Sequence, residues 1–318
     1  MIVVTGGAGF IGSNIIATLN TMGYSDILVV DNLKHGIKYL NLVDLNITDF
    51  LDKWDFFNRI VYKNIFRKID VVFHEGACSV TNEWNGRYMM KNNYQFSKNL
   101  LHFCVKYRIP FIYASSAAIY GNGSKYFIEE PQHERPLNIY GYSKYLFDQY
   151  VRVILPKVRS QICGLRYFNV YGPRESHKST MASIIYHIYK QMISNQDIQL
   201  FIGSENFQRD FIHVSDIVSI NLFCWRNNIS GIFNCGTGIA ESFQNVAEII
   251  LKNFNRSIDT IRFIPFSKNM SRKHYQTFTK ANLNKLKETG YNKPFKTIKE
   301  GIPLYTTWLN QNKDILFD

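Results

Sequence analysis

A run of glycines after a short apolar segment constrains this chain more than any other feature of its sequence. Residues 1–12 read Met-Ile-Val-Val-Thr-Gly-Gly-Ala-Gly-Phe-Ile-Gly, so Gly6, Gly9 and Gly12 follow the apolar residues directly. Glycines at this spacing let a strand turn sharply, let the backbone approach a pyrophosphate, and let the next helix pack closely on the sheet. The pattern predicts a βαβ unit that binds a dinucleotide, with its pyrophosphate at the N-terminus of a helix.

The residues after the glycines support this interpretation, because a glycine triplet alone is weak. Residues 10–19 have the apolar spacing of a helix, and residues 27–30 predict a second strand that ends at Asp31. An acidic residue about 20 positions after the glycines typically receives the hydroxyls of the adenosine ribose. We therefore expect Asp31 to line the cofactor.

Apolar strand-like runs alternate with segments of helical periodicity through the first half of the chain. This alternation predicts a doubly wound parallel α/β sheet of the Rossmann type. We expect a dinucleotide-binding domain over 1–170, with returns to the sheet near 210–236, and a smaller C-terminal α/β substrate lobe over 171–318. The predicted strands are 2–4, 27–30, 71–74, 111–114 and 162–166, and the predicted helices between them are 50–66, 88–107 and 140–155.

Length and composition place the chain among globular proteins. With 318 residues, 46% hydrophobic and 15% aromatic, it can bury a substantial core. Met1 leads directly into the first strand, and no apolar run approaches the roughly 18 residues of a membrane span. We expect a cytoplasmic protein without a membrane partner.

Cysteines and histidines point to no metal site. The five cysteines are scattered, without a C-x-x-C pair, and the eight histidines form no cluster with ligand spacing. We expect the cysteines to be reduced and mainly structural.

The net charge of +12 is uneven, because residues 262–299 hold ten Lys/Arg against the single acid Glu288. Such a stretch attracts an anionic ligand or nucleic acid, or it is simply a solvated face. Aromatic residues do not alternate with the charges, and no helix-turn-helix or zinc-finger pattern is present. The solvated face is favoured, and no nucleic-acid partner is predicted.

The most specific chemical pattern is Tyr140-Gly-Tyr-Ser-Lys144, because Tyr140 and Lys144 share one helix face. Ser116 lies 24 residues earlier, at the end of a predicted strand. A phenol ordinarily has a pKa near 10, and a nearby ammonium with an oxidised nicotinamide would stabilise its phenolate. Tyr140 would then act as a base near neutral pH, Ser116 would bind the reacting oxygen, and Lys144 would hold the nicotinamide ribose. This trio resembles the short-chain dehydrogenases/reductases.

Two later strings narrow the resemblance to extended members of that group that act on nucleotide sugars. They are Arg166-Tyr-Phe-Asn-Val-Tyr-Gly-Pro-Arg174 and Arg209-Asp-Phe-Ile-His-Val-Ser-Asp216. A guanidinium pairs with phosphate oxygens in a fork, which suits Arg209 to a diphosphate. Arg209 is alternatively a structural ion-pair partner of Asp210 or Asp216.

Over residues 1–308 the chain resembles the family of ADP-L-glycero-D-manno-heptose 6-epimerases, which make a heptose precursor for lipopolysaccharide. The strings that carry this resemblance are Asp31-Asn32-Leu33-Lys34, His74-Glu75-Gly76-Ala77-Cys78-Ser79, Glu83-Trp84, Tyr88-Met89-Met90, Asn92-Asn93-Tyr94, Pro173-Arg174-Glu175-Ser176-His177-Lys178 and Gly203-Ser204-Glu205-Asn206-Phe207. The resemblance implies that a bound oxidised cofactor takes hydride from C6 of ADP-heptose, leaves a ketone, and returns hydride to the opposite face. It assigns the two proton-transfer roles to Tyr140 and Lys178.

The same resemblance implies one tightly bound NADP in each subunit of a homo-oligomer, expected to be a pentamer. On chemistry alone cofactor choice stays open, because Asp31 favours NAD whereas Asn32, Lys38 and Lys53 would neutralise the 2′-phosphate of NADP. The implied cofactor-binding residues are Gly6, Gly9, Phe10, Ile11, Gly12, Asp31, Asn32, Lys38, Lys53, Glu75, Gly76, Ala77, Cys78, Ser79, Asn92, Lys144, Val170 and Lys178.

Substrate contacts are likewise carried over from the family. They fall on Asn169, Thr180, His187, Phe201, Ile202, Gly203, Ser204, Arg209 and Tyr275. Two positions depart from the family pattern, since Ser179 replaces a glycine and Ile202 replaces a glutamate. His187 lies on a predicted helix, where a lone histidine is more often a packed or surface residue.

Other functions on the same scaffold remain open. A hexose 4-epimerase would not need Lys178 as a second base. A 4,6-dehydratase needs an acidic residue beside its serine, and Ser115-Ser116-Ala117-Ala118 offers none. A non-catalytic cofactor- or RNA-binding protein commonly loses the tyrosine or the lysine, and this chain has both.

Overall fold

The computed structural model describes residues 1–60, 68–122, 127–265 and 276–317. Within these ranges lie thirteen strands: β1 (Ile2–Thr5), β2 (Ile27–Asp31), β3 (Asp49–Asp52), β4 (Val71–His74), β5 (Phe111–Ser116), β6 (Ile162–Tyr167), β7 (Asn169–Tyr171), β8 (Ile198–Phe201), β9 (Gln208–Arg209), β10 (Phe211–His213), β11 (Gly231–Cys235), β12 (Glu241–Ser242) and β13 (Ile261–Ile264).

The same described ranges contain eleven α-helices, of which α5 is the longest. They are α1 (Phe10–Thr21), α2 (Lys53–Asn58), α3 (Gly86–Met89), α4 (Phe96–Tyr107), α5 (Ile139–Ile154), α6 (Ile184–Ile193), α7 (Val214–Arg226), α8 (Phe243–Asn253), α9 (Asn284–Glu288), α10 (Ile298–Gln311) and α11 (Lys313–Phe317). No helix of the described ranges is long and apolar enough to cross a membrane.

Seven strands form one parallel sheet in the order β11-β6-β5-β4-β1-β2-β3. The chain builds outward from β1 to β3, then returns past β1 and continues in the other direction from β4. This reversal leaves a crevice at the carboxyl ends of β1 and β4, where ligands bind in sheets of this kind. The predicted doubly wound parallel α/β fold is confirmed.

Apolar side chains cover both faces of this sheet, which is why its strands are nearly continuous hydrophobic runs. Successive residues of β1 alternate between the faces: Val4 packs with Val29 and Phe73 on one side, and Val3 packs with Val30 on the other. All five are at most 1% exposed. Helices therefore lie on both sides, and the crevice is the place where polar groups gather.

The prediction of one helix over 50–66 is wrong at its start. Residues Asp49–Asp52 form β3, which pairs in parallel with Leu28–Asp31 of β2, and α2 begins only at Lys53. The Asp52 carboxylate caps α2 by accepting a hydrogen bond from the Trp54 N–H at 2.7 Å. Pairing with a distant strand overrides the local periodicity here, while residues 61–66 lie outside the described residues.

A separate hydrophobic cluster forms in the second half of the chain. It joins the inner faces of α6, α8 and α10, including Ile188, Ile250 and Ile302. Two small parallel pairs, β7 with β10 and β8 with β13, lie beside it. These elements carry three of the residues that the sequence assigned to substrate binding, Asn169 on β7, His187 on α6 and Phe201 on β8.

Candidate active site

The turn between β1 and α1 tolerates only glycine at its critical positions. Gly6 has a φ of +67°, and a Cβ there would lie 2.6 Å from the backbone nitrogen of Gly76. A Cβ on Gly12 would lie 2.3 Å from the carbonyl oxygen of Gly6, and one on Gly9 would lie 2.9 Å from the same oxygen. The turn thus keeps the N-terminus of α1 open and close to the sheet. This cradle fits the pyrophosphate of a dinucleotide.

Asp31, at the end of β2, is 6% exposed and already accepts several hydrogen bonds. The backbone N–H groups of Asn32 and Ala8 donate to it at 2.7 and 3.1 Å, and the Lys38 ammonium forms an ion pair with it. Lys53 donates to the Asn92 side-chain oxygen, and burial lowers the pKa of Lys53. Asp31, Lys38 and Lys53, which the sequence places near the adenosine ribose and its 2′ position, therefore lie in one region.

The segment after β4 is held by Asn93, a residue to which the sequence assigned no role. Asn93 accepts a hydrogen bond from the Cys78 N–H at 2.8 Å and donates to the Cys78 carbonyl at 3.0 Å. It also donates to the Ser143 hydroxyl of α5 at 3.1 Å. Asn92 and Asn93 lie in a π-helical turn, Met90–Gln95, a feature that often marks functional sites. Only the resemblance singled out residues 92–94, because a π-helical turn has no recognisable local pattern.

The structure brings Ser116, Tyr140 and Lys144 together at the carboxyl end of β5. Helix α5 begins just before Tyr140, where the Asn138 side chain accepts a hydrogen bond from the Gly141 N–H at 2.8 Å. The Tyr140 and Ser116 side chains are hydrogen-bonded to each other. The Lys144 ammonium donates to the Ala114 carbonyl of β5 at 2.7 Å. This arrangement can bind an alcohol or ketone oxygen and move a proton to or from it.

Burial dominates the electrostatics of this group. It raises the pKa of the Tyr140 phenol above its ordinary value, and the hydrogen bond with Ser116 opposes that shift. It lowers the pKa of Lys144 to about 8, against the charges of Glu75 and Asp148. The sequence predicts that Lys144 together with an oxidised nicotinamide lowers the Tyr140 pKa, and the residues of the chain by themselves shift that pKa upward.

A buried ionic network holds α5 against the sheet. The Asp148 carboxylate accepts hydrogen bonds from Tyr113 at 2.9 Å, Ser115 at 3.0 Å and the Arg166 Nε at 2.8 Å. Arg166, which is 0% exposed, also pairs with Glu134 at 2.5 Å. Asp148 lies on the same face of α5 as Tyr140 and Lys144, so the network sets the position of both relative to β5.

Lys178 lies beside the first residue of α1, next to the glycine turn. Its side chain lies over the ring of Phe10, the first residue of α1, with Nζ 5.3 Å from the ring centroid. Burial lowers the pKa of Lys178, and the charge of Glu175 opposes that shift. Glu175 in turn accepts hydrogen bonds from the backbone N–H and hydroxyl of Ser183, at 2.6 and 2.7 Å. Lys178 thus lies beside the glycine turn as a partly desolvated ammonium.

The segment that carries Lys178 is tied to the glycine turn by Asn41. The Asn41 amide donates to the carbonyls of Ala8 and Arg174, each at 3.1 Å, and lies 3.1 Å from the His177 Nδ1. Arg174 returns a hydrogen bond to the Asn41 carbonyl at 2.8 Å and forms an ion pair with Asp44. Hydrogen bonds and an ion pair therefore link the loop after β2 to the Lys178 segment.

Ser179 adopts a backbone conformation that favours glycine, with φ of +50° and ψ of −123°. This is the position at which the family pattern has glycine. The serine therefore keeps the glycine-like geometry at a cost in strain. Thr180, assigned to substrate, follows it and is exposed.

Three of the predicted substrate residues lie on strands, Asn169 on β7, Phe201 on β8 and Arg209 on β9. Asn169 begins β7 and accepts a hydrogen bond from Thr279 at 3.2 Å, and Arg209 on β9 is 5% exposed, with its guanidinium 5.9 Å from the Phe243 ring centroid. Asp210 and Asp216 are the carboxylates that the sequence offered as alternative ion-pair partners of Arg209. In the structure, Asp210 accepts hydrogen bonds from Thr237, Gly238 and Ala281, and Asp216 forms an ion pair with Lys296. Val170 follows Asn169 on β7, Phe201 ends β8, and Gly203 has a φ of +91°.

The remaining assigned residues differ in their surroundings. Ile202 is 55% exposed, whereas Ser204 is 0% exposed and its hydroxyl has no hydrogen-bond partner within the described ranges. His187 lies on α6 and is half-buried beside the Tyr186 ring. Tyr275 lies outside the described residues.

Comparison with known proteins places this geometry in context. A family model described as the NAD dependent epimerase/dehydratase family matches residues 2–236. The ADP-L-glycero-D-manno-heptose-6-epimerase of Helicobacter pylori is 28% identical, with a TM-score of 0.83, over 97% of this chain and 96% of that chain. The UDP-glucose 4-epimerase of Thermotoga maritima, solved with UDP-glucose, is 27% identical, with a TM-score of 0.82, over 98% and 99%. That of Thermus thermophilus, in complex with NAD, is 26% identical, with a TM-score of 0.81, over 97% and 98%.

Proposed function

The chain belongs to the NAD dependent epimerase/dehydratase family, and from this premise we propose that it is a nucleotide-sugar epimerase that inverts C6 of ADP-glycero-manno-heptose. The substrates would be the D-glycero and L-glycero epimers of ADP-β-D-manno-heptose. The likeness to the Helicobacter pylori enzyme supports this proposal, as do the strings that the chain shares with that family. Cytoplasmic location, homo-oligomer formation and a role in lipopolysaccharide synthesis are parts of the same proposal.

The position of Lys178 is the observation that favours epimerisation at C6 of the heptose over the other reactions considered. In the proposed inversion at C6, the hydroxyl proton is transferred on one side of the substrate for one epimer and on the other side for the other epimer. Tyr140 and Ser116 supply one side, and the partly desolvated Lys178, beside Phe10, supplies a second amine at the glycine turn. Its lowered pKa suits an amine to proton transfer.

In this mechanism, a bound nicotinamide dinucleotide would supply a hydride acceptor in its oxidised form and a hydride donor in its reduced form. In one direction, Tyr140 as a phenolate would take the proton from the C6 hydroxyl, and the Lys178 ammonium would give a proton to the oxygen of the product. In the reverse direction, the neutral Lys178 amine would take the proton and the Tyr140 phenol would give one. Ser116 would donate a hydrogen bond to the reacting oxygen, while Lys144 would hold the nicotinamide ribose. Arg209 would pair with the diphosphate of the substrate.

We propose NADP as the resident cofactor, with NAD as the alternative. The ion pair between Lys38 and Asp31 offsets the carboxylate charge that would repel a 2′-phosphate, and Lys53 lies in the same region. The Thermus thermophilus relative was solved with NAD. Acid release of the dinucleotide from purified protein, followed by chromatography against both standards, distinguishes the two.

The decisive experiment is to incubate the purified protein with ADP-D-glycero-β-D-manno-heptose without added cofactor and to follow the C6 configuration by proton NMR. We expect conversion to the L-glycero epimer, which requires both the activity and a retained cofactor. No conversion, even with NADP or NAD added, would refute the heptose assignment.

A hexose 4-epimerase is the second candidate, because the Thermotoga maritima enzyme is nearly as similar to this chain. The same assay with UDP-glucose tests it. Lys178→Met separates the candidates further: we expect it to reduce heptose epimerisation by about 10²-fold or more, as for loss of a general acid or base. Tyr140→Phe should abolish either activity, and Lys178→Met should leave a 4-epimerase active.

A further inference from the structure

Glu75 is an acidic side chain that the family resemblance assigns to the cofactor and that takes no part in the proton transfers proposed for Tyr140 and Lys178. It follows β4, its N–H donates to the Thr5 carbonyl of β1 at 3.0 Å, and the next residue packs against Gly6. Its backbone therefore lies between the carboxyl ends of the two strands that form the crevice. A carboxylate there is costly to bury unless a nearby positive charge stabilises it.

Hydrogen bonds fix the direction of the Glu75 carboxylate. Its Oε1 accepts a hydrogen bond from the Tyr167 hydroxyl at 3.0 Å, and that hydroxyl accepts one from the Asn221 amide at 2.9 Å. Its Oε2 is buried, with no hydrogen-bond partner within the described residues. Side chains of β6 and α7 thus hold the carboxylate in place while one oxygen stays uncommitted.

Lys144 is the positive group that the sheet places beside this carboxylate. Its ammonium donates to the Ala114 carbonyl at 2.7 Å, and Glu75 and Ala114 directly follow His74 and Tyr113, which pair with each other in the sheet. Burial raises the pKa of Glu75 to about 7, and the hydrogen bond from Tyr167 and the charge of Lys144 oppose that shift. Reciprocally, Glu75 is the strongest of the charges that oppose the lowering of the Lys144 pKa. The other titratable groups that act on this pair are Cys78 after β4, His74 on β4, Asp148 on α5, Tyr167 on β6 and Cys235 on β11.

Asp148 is the other carboxylate that acts on Lys144, but its oxygens are engaged elsewhere. They accept hydrogen bonds from Tyr113, Ser115 and Arg166, all within 3.0 Å. The Arg166 guanidinium already balances much of its charge. Glu75 is thus the carboxylate whose charge is available to stabilise the Lys144 ammonium.

We propose that Glu75 is a positioning residue of the proton-transfer site, whose fixed carboxylate keeps Lys144 in its ammonium form beside Tyr140. The inference rests on the Tyr140–Lys144 part of the proposed function and not on the identity of the sugar. With Glu75 charged, Lys144 keeps the positive charge that the phenolate of Tyr140 needs as that phenolate forms. Without that carboxylate, the buried lysine would lose its proton at a lower pH.

The test follows Lys144 directly in the full-length protein. Lysine labelled with ¹³C at Cε is incorporated, the Lys144 signal is assigned by its loss in Lys144→Arg, and its chemical shift is followed from pH 6 to 10. In the native protein we expect a midpoint near 8. Glu75→Gln, which keeps the shape and the acceptor oxygen, should lower that midpoint by about one unit, as expected for loss of a nearby opposite charge.

Two further variants complete the design. Glu288→Gln removes the same formal charge from an exposed position on α9 and should leave the midpoint unchanged. Tyr167→Phe removes the hydroxyl that donates to Glu75 and accepts from Asn221 while leaving the Glu75 side chain intact, and should shift the midpoint in the same direction by a smaller amount. It also keeps the test decisive if Glu75→Gln does not fold. An unmoved midpoint in every Glu75 or Tyr167 variant that folds would overturn the proposal.

The pH dependence of kcat/KM gives the matching catalytic readout on whichever nucleotide sugar proves to be the substrate. The alkaline limb should move to lower pH in Glu75→Gln, and a merely structural role would lower activity without moving it. A shifted Lys144 midpoint without heptose conversion would refute the sugar assignment alone. Heptose conversion with an unmoved midpoint would refute the role of Glu75 alone.

Discussion

Ser179 shows how a single backbone position can carry a detectable strain. Non-glycine residues at a φ of +50° and a ψ of −123° lose roughly 1–3 kcal/mol, and Ser179 is exposed, with no packing that requires a serine. We expect Ser179→Gly to raise the free energy of unfolding by about 1 kcal/mol, after subtracting the extra entropy of glycine in the unfolded chain. Urea denaturation with an unchanged m value measures the difference.

Ser176→Gly provides the matched comparison for this prediction. Ser176 lies three residues earlier in the same segment and has no positive φ. Glycine should therefore destabilise it, by about 0.5–1 kcal/mol. Equal destabilisation by both substitutions would show that the conformation of Ser179 is not strained.

Among single residues, the sequence predicted those that are placed together by their spacing, and it did not predict those whose roles depend on distant hydrogen-bond partners. Ser116, Tyr140 and Lys144 were found from their spacing, since a strand end and one face of a helix place them together. Asn93 and Asn41 were not found, because their roles arise from hydrogen bonds to backbone groups 15 or more positions away. No local pattern records such contacts.

Helix α1 depends on how closely its first turn approaches the glycine loop. A Cβ on Gly12 would lie 2.3 Å from the Gly6 carbonyl oxygen, and neither backbone can move without opening the cradle. We expect Gly12→Ala to destabilise the protein by about 2 kcal/mol, a typical cost of overpacking. It should also abolish retention of the dinucleotide.

Chromatography of acid-released dinucleotide and thermal unfolding together check this prediction. Gly86→Ala is the control, because a Cβ there would meet Ile139 at 3.9 Å, an ordinary contact. That variant should retain as much dinucleotide as the native protein. Full retention in Gly12→Ala would mean that α1 adjusts without disturbing the site.

Elements with a strong local pattern were predicted, and those defined by pairing were not. The buried runs of β1, β2, β4, β5 and β6 were recognisable because parallel strands covered on both faces are almost wholly apolar. Strand β3, with the sequence Asp-Phe-Leu-Asp, has no such run and exists because it pairs with β2. The division into domains at residue 170 stays a prediction.

For the whole molecule, the polar centre of the sheet predicts how stability responds to acid. His74 is 3% exposed, lies 2.6 Å from the Thr5 hydroxyl and 2.8 Å from that of Ser97, and burial lowers its pKa to about 3. The unfolded chain therefore binds this proton first as the pH falls below 6.5. Because of His74, the free energy of unfolding should fall by about 3 kcal/mol between pH 6.5 and pH 4.

Comparison with a variant separates the effect of His74 from that of groups whose contribution to stability changes with pH in the opposite direction. Burial raises the pKa values of Glu75 and Asp210, so their contributions to stability fall as the pH rises. His74→Gln should flatten the fall in unfolding free energy toward acid pH, measured by urea denaturation at several pH values. His35→Gln, at an exposed position, should leave that fall as it is. Parallel curves for the native protein and His74→Gln would contradict the prediction.

The Asn41 link has a consequence for attempts to redesign this chain. One amide holds the turn at Ala8, the Arg174 carbonyl and the His177 ring. An engineer who exchanges residues 32–45 to alter cofactor preference would therefore also replace the support beneath Lys178. Grafts that keep Asn41 and Asp44 should preserve turnover, whereas whole-loop exchanges should lose it even where the new nucleotide binds. Under the roles proposed for Lys38 and Lys178, nucleotide preference and catalysis would therefore depend on the same hydrogen bonds of Asn41.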